Sequence, residues 1–248
     1  MWSRRENTVK IKRSFEAKEE PEFNEYMDNC IDVKHGSDGI VTIKYTQPVL
    51  LQKLKDNWAD LLTGKPPRIP ALAGKDLSRG DGIDTDTLSP QHTSRFCSGA
   101  AINMHMMKSS RPKIFNATRS LTRLMHSPNS THEKALKHLI HYDISTENCG
   151  LVIKPNRVWD GSPDFEWNIE ACAGLNYSSR IDDRRSVTGG DVTVNEAPVS
   201  MRSATQRFVC LSVTEAETAA GVTITQDMLY VFRIITSLGL KVNLPMTL

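Results

Sequence analysis

Six apolar residues near the C-terminal end, Ala220, Ile224, Met228, Val231, Ile235 and Leu238, follow one another at spacings of three and four. This period sets all six on one stripe of a helix over residues 214–238. Gly239 stands where such a helix stops, because glycine accepts the left-handed conformation that closes a last turn. Ahead of the helix lie three segments of strand character, one beginning at Phe165, one over 187–194 and one over 197–201; a short one, 242–248, follows it. The order is strand, turn, strand, strand, helix, strand. With the helix as crossover, this order permits the first and last strands to run parallel in one sheet, in the right-handed sense such connections take. The fold class is therefore α+β.

The upstream half reads differently. Residues 1–36 are charged and weakly patterned, with Lys10, Lys12 and Arg13 followed by Glu16, Glu19 and Glu20, and are expected to form a poorly ordered arm. A β-branched run at 40–45 follows the turn signal Ser37-Asp38-Gly39 and predicts a strand. Val49, Leu50, Leu54, Trp58, Leu61 and Leu62 predict a helix over 48–62. Residues 63–90, rich in Gly, Pro and Asp, read as a loop. Three further helices are expected over 92–108, 112–126 and 131–142, the second opening on Pro112 and the third on a capping-box pattern, Ser130 with Glu133.

Charge is nearly balanced at +2, with 31 basic and 29 acidic residues, so any nucleic-acid contact must come from a local basic patch. There is no apolar run of membrane-spanning length and no apolar segment near Met1, which argues against export and insertion and for an intracellular protein of cytoplasm or nucleus. Cys30, Cys97, Cys149, Cys172 and Cys210 are odd in number and widely spaced, and read as free thiols.

The densest set of motifs lies between the last strands and the long helix: Asp182-Asp183-Arg184-Arg185-Ser186, then Arg202-Ser203-Ala204-Thr205-Gln206, then Ser212-Val213-Thr214-Glu215-Ala216-Glu217. In this order and spacing they resemble the ribonuclease H domain of copia-type retrotransposon polyproteins. That family shows an Asp-rich strand end, an Asp-Asp-Arg-(Arg/Lys)-Ser turn, a Ser-x-x-Gln segment and a Ser-x-x-Glu-Ala-Glu helix start. The stretch before it is similar to the family's link from polymerase to ribonuclease H, at Ser98-Gly99, residues 102–107, Arg111-Pro112-Lys113-Ile114, residues 121–125 and residues 128–132; Lys113 stands where the family has an acid. The resemblance implies a reverse transcriptase C-terminal or connection-like region over 37–150 and a truncated ribonuclease H-like domain over 160–248.

It also implies a chemistry and a defect in it. Enzymes of this class use two divalent cations, Mg2+ in the family, roughly 4 Å apart, held by carboxylate oxygens. The family's first aspartate falls on Gly174 and its neighbouring acid on Asn176, while the third is expected beyond Leu248. Of the family carboxylates only Glu217 is present. The resemblance thus implies a degenerate, catalytically inactive fragment that binds no Mg2+. Its expected partners are an RNA–DNA hybrid or other nucleic acid, contacted through Arg184, Arg185, Arg202 and Arg207, and intact polyprotein chains. Charge balance against Asp182 and Asp183 is the competing reading of the arginines in the turn. The alternative function is a non-enzymatic interaction fragment that docks on another polyprotein chain.

Other motifs carry less. Tyr26-Met27-Asp28-Asn29 has the form of a polymerase hairpin, but the acidic residues 20–25 before it lack the apolar strand such a site needs. His138 and His141 on a basic helix, with Cys149 beyond, lack the second paired motif of a metal site. Asp81, Asp84 and Asp86 lack the glycine and distal glutamate of a calcium loop. No metal ligands are assigned.

Overall fold

The computed structural model describes residues 25–26, 29–72, 77–78, 86–162, 164–180 and 182–248; residues 1–24 of the charged arm, Met27 and Asp28, and Asp81 and Asp84 lie outside it. The first module combines an antiparallel sheet with four helices. Its strands are β1 (Glu25–Tyr26), β2 (Asn29–His35), β3 (Val41–Thr46) and β4 (Leu151–Ile153), hydrogen-bonded in that order. β2 falls inside the stretch that composition marks as an arm: its charged residues, Asp32 and Lys34, are exposed, while Ile31 is buried and the strand pairs with β3 from Cys30 to His35.

Between β3 and β4 come α1 (Pro48–Trp58), α2 (Pro90–Ser109), α3 (Phe115–Thr122) and α4 (Ser130–Ser145). Proline opens both α1 and α2, where its missing N–H costs nothing. Their core joins Leu54 and Trp58 of α1, Phe96 and Met106 of α2, Leu121 of α3 and Leu136, Leu139 and Ile140 of α4. Gly99 sets the closeness of that packing: a Cβ there would sit 3.1 Å from Trp58, 3.2 Å from Leu136 and 3.3 Å from Ile140.

Two local expectations are corrected. The helix expected over 112–126 is broken into a 3-10 turn, Pro112–Ile114, and the short α3. The capping box of α4 is made not by Ser130 and Glu133 but one position earlier. Asn129 Oδ1 accepts from the His132 backbone N–H at 3.0 Å, and His132 Nδ1 accepts from the Asn129 N–H at 3.2 Å. His132 Nε2–H then donates to Ser78 O, so this buried ring is fixed in one tautomer.

The second module holds β5 (Glu166–Trp167), β6 (Ile169–Asn176), β7 (Val187–Val194), β8 (Ala197–Thr205), α5 (Val213–Ser237) and β9 (Lys241–Val242). β6, β7 and β8 form an antiparallel sheet in sequence order. β9 pairs in parallel with β5, and Thr247 bridges in parallel to Glu170 of β6, so the expected parallel return is present. The last strand is shorter than the expected 242–248; Pro245 has no N–H to give to a ladder. Ile224, Met228 and Ile235 of α5 pack on Ile169, Ala171 and Val192 and Ala220 is buried, whereas Leu238 lies beyond the helix and is exposed. Gly239 closes the helix at φ +76°. Among the described residues no helix is long and apolar enough to cross a membrane.

The most costly group in the first module is a buried ion pair. Arg111, just ahead of the 3-10 turn, donates from Nη1 to Asp143 Oδ1 at 2.9 Å and to Thr146 Oγ1 at 3.0 Å, and from Nη2 to Thr146 O. Asp143 has no exposed surface, and its Oδ2 has no hydrogen-bond partner. Burial pushes the Asp143 carboxyl from 3.8 up to about 7, against the opposing pull of Arg111. Below pH 3.8 folded and unfolded chains both carry the proton; between there and about 7 only the folded chain holds it, so stability falls as pH rises through that window. Asp143→Asn is expected to flatten this slope in thermal melts taken across the range. Arg111→Ala, which strands a buried carboxyl, is expected to destabilise by about 3–5 kcal/mol in urea unfolding near neutral pH.

Candidate functional site

The motif residues converge where α5 begins, at the end of the three-stranded sheet. The turn between β6 and β7 is closed by its own backbone: Arg184 N donates to Arg180 O at 2.8 Å and Arg180 N to Arg185 O at 3.2 Å. Arg184 sits at φ +58°, in the left-handed region. Ser186 is fully buried and latches the turn, its hydroxyl accepting from Ser178 N at 3.0 Å and its carbonyl from Gln206 N at 2.9 Å.

Gln206 ties the sheet to the helix. Its Nε2 donates to Thr188 Oγ1 at 3.2 Å and to Ala216 O at 3.0 Å, and its Oε1 accepts from Cys210 Sγ at 3.1 Å. Ser212 caps the helix, its Oγ accepting from Glu215 N at 3.1 Å.

The arginines divide. Arg202 on β8 makes a forked pair with Asp227 of α5, Nε to Oδ2 and Nη2 to Oδ1, each at 2.6 Å. Those hydrogen bonds raise its pKa further above the ordinary guanidinium value, against the effect of desolvation. Within the turn, Asp183 lies 3.1 Å from Arg180 and 3.6 Å from Arg185. Asp182 lies 2.7 Å from Arg123, in the turn that follows α3, and so joins the two modules. Arg184 and Arg207 are exposed and, among the described residues, have no acid within 4 Å. The partners Asp227 and Arg123 carry no sequence signal, being 25 and 59 residues from the groups they meet.

Glu217 is exposed on the second turn of α5. Gly174 pairs with Gly189 of β7, which pairs with Ser203 of β8. The next row, Ala173, Gly190 and Arg202, faces α5, because a Cβ on Gly190 would lie 2.5 Å from Ile224 Cδ1. Successive strand residues alternate between faces. Gly174 and Asn176 therefore lie on the face turned away from the helix that carries Glu217, and a Cβ at 174 would meet nothing within 4 Å. Asp227, which meets this sheet at Arg202, is roughly 15 Å from Glu217 along the helix axis. Among the described residues no three His, Cys, Asp or Glu side chains converge as metal donors. His138 Nε2 is hydrogen-bonded to Ile69 O at 3.0 Å.

The retrovirus-related Pol polyprotein from transposon RE1 of Arabidopsis thaliana is 26% identical to this chain over 186 residues, 75% of the chain and 12% of that protein. The corresponding polyprotein from transposon TNT 1-94 of Nicotiana tabacum is 28% identical over 137 residues, 55% of the chain and 10% of that protein. Both relatives are retrovirus-related Pol polyproteins of copia-type transposons, and the chain is similar to them over more than half of its length. It spans about 12% of the length of the first of these Pol relatives. A shorter relative, Secreted RxLR effector protein 161 of Plasmopara viticola, is 30% identical over 137 residues, 54% of the chain and 89% of that protein. No family model matches, and no solved structure matches.

In this chain, similar to Pol polyproteins, Gln206 works as a structural tie. Gln206→Ala removes three hydrogen bonds in a buried setting, taking the donor from Thr188 Oγ1 and the acceptor from Cys210 Sγ and leaving Ala216 O with its helical bond alone. A loss of about 1–3 kcal/mol is expected, read as a lower urea midpoint with the slope unchanged.

Proposed function

We propose that this chain is a connection-like region joined to a ribonuclease H-like module, that the module is catalytically silent, and that it retains weak contact with nucleic-acid backbone. The observation that carries the reading is topological. Three antiparallel strands, one long helix and a parallel return beside the first strand occur in a single run of chain. The order of motifs along that run supports it.

Silence follows from the donor set. Two Mg2+ ions need several carboxylate oxygens around a shared centre. Here Glu217 stands on one side of the sheet, and the positions matching the family's acids hold a glycine and an amide on the other face. The residues present do not fit the pair of cations. Residual binding rests on Arg184 and Arg207, since Arg202 is occupied by Asp227 and Arg185 lies beside Asp183. A hybrid duplex would be met through its backbone and 2′-hydroxyls rather than read by sequence.

A second reading is favoured by one feature. Leu211 is 91% exposed, with Phe208, Val209 and Val213 about half exposed around it, an apolar run before α5 suited to docking on another polyprotein chain.

The full chain is expected to leave a labelled RNA–DNA hybrid uncut in Mg2+ or Mn2+. Gly174→Asp alone is expected to restore nothing, because the new carboxylate points away from Glu217; metal-dependent cleavage by that variant would overturn the reading. Hybrid binding is expected to weaken steeply with salt, and Arg184→Ala with Arg207→Ala to reduce the salt slope by about 2. Absence of any salt-dependent binding would favour the docking fragment instead.

A further inference from the structure

The two modules meet around a cavity of about 530 Å3, a size that takes small organic ligands. The helical module supplies Lys44, Arg111, Lys113 and Tyr142 to its wall, and β8 supplies Pro198 and Met201. The charge in the wall has one sign: three cations and, among the described residues, no carboxylate. Arg111 is already engaged by Asp143 and Thr146. Lys44 donates one hydrogen bond, from Nζ to Asn148 O at 2.7 Å, and an ammonium has three N–H groups to give. Lys113 is exposed and has no acid within 4 Å among the described residues. The remaining lining is largely apolar, with Ile114, Leu151 and Val152 beside Pro198 and Met201.

We propose that this cavity binds a small amphipathic anion, with a flat apolar body against the aliphatic and proline walls and a sulfonate, carboxylate or phosphate head held by Lys44 and Lys113. The body gains from leaving water. The head supplies negative charge opposite Lys44 and Lys113, the two wall cations that no lining carboxylate balances, and their ammoniums give it charge-assisted hydrogen bonds. Neither part alone uses the whole wall, so an amphipathic anion is preferred over a free inorganic ion or a plain hydrocarbon.

The test uses the full chain and two aromatic probes of like shape, anionic 8-anilinonaphthalene-1-sulfonate and uncharged N-phenyl-1-naphthylamine. Cys149 lines the cavity and is exposed, while Cys172 is also exposed, on β6 and outside it. Alkylation of each cysteine is followed by peptide mass spectrometry, alongside fluorescence titration. The sulfonate is expected to bind at one site and to slow alkylation of Cys149 while leaving Cys172 unchanged. The neutral probe is expected to bind at least about tenfold more weakly, since even one charge-assisted hydrogen bond is worth that factor. Lys113→Met, a change on an exposed side chain, is expected to reduce that preference without altering the neutral probe's affinity. Equal binding of both probes, equal protection of both cysteines, an unchanged preference in Lys113→Met, or no saturable binding would each overturn the proposal.

Discussion

A single guanidinium sets the course of the chain through the first module. Arg111 lies between α2 and α3, yet its hydrogen bonds reach the end of α4 and the residues that lead from it into β4. β4 closes the first sheet beside β3 and also packs against β8 of the second. The direction in which the chain leaves the helices is thus tied to one buried charge. The cost is carried by Asp143, whose second oxygen has no hydrogen-bond partner. A buried pair of this kind adds little net stability over apolar packing but is expensive to break on one side only.

The second module depends on close approach rather than on charge. β7 comes so near α5 at Gly190 that a Cβ would lie 2.6 Å from Cys172 O as well as against Ile224. Arg202 and Asp227 then brace the helix against the edge strand, while Gln206 fixes its first turn. Several residues that carry the family likeness are used here to build the scaffold. Ser186, Gln206 and Asp183 are spent on turn and cap, so their presence speaks to the fold more than to any reaction.

Sequence pattern made much of this fold legible, because the stripe of α5 and the β-branched runs answer to local periods of 3.6 and 2. What stayed hidden was set by contacts distant in sequence. β2 is polar enough to pass for an arm, and only its pairing with β3 orders it. The cap of α4 falls on Asn129 rather than Ser130 because His132 is held from beyond the helix by Ser78. Asp227 looks like any surface acid on α5 until β8 brings Arg202 to it. The side of the sheet on which Gly174 lies follows only once the strand register is known.

The two hydrophobic cores do not merge. One is built from α1 to α4, the other from α5 and its sheet. The hydrogen bonds across the boundary are polar ones, Arg119 Nη1 to Thr205 Oγ1 at 2.9 Å and Arg123 Nη2 to Asp182 Oδ2 at 2.7 Å. A seam of that kind resembles a transient contact between separate proteins, and relative motion of the parts is its ordinary behaviour. The boundary is therefore expected to part at lower cost than either core melts, so that the chain flexes as two stiff bodies on a softer joint.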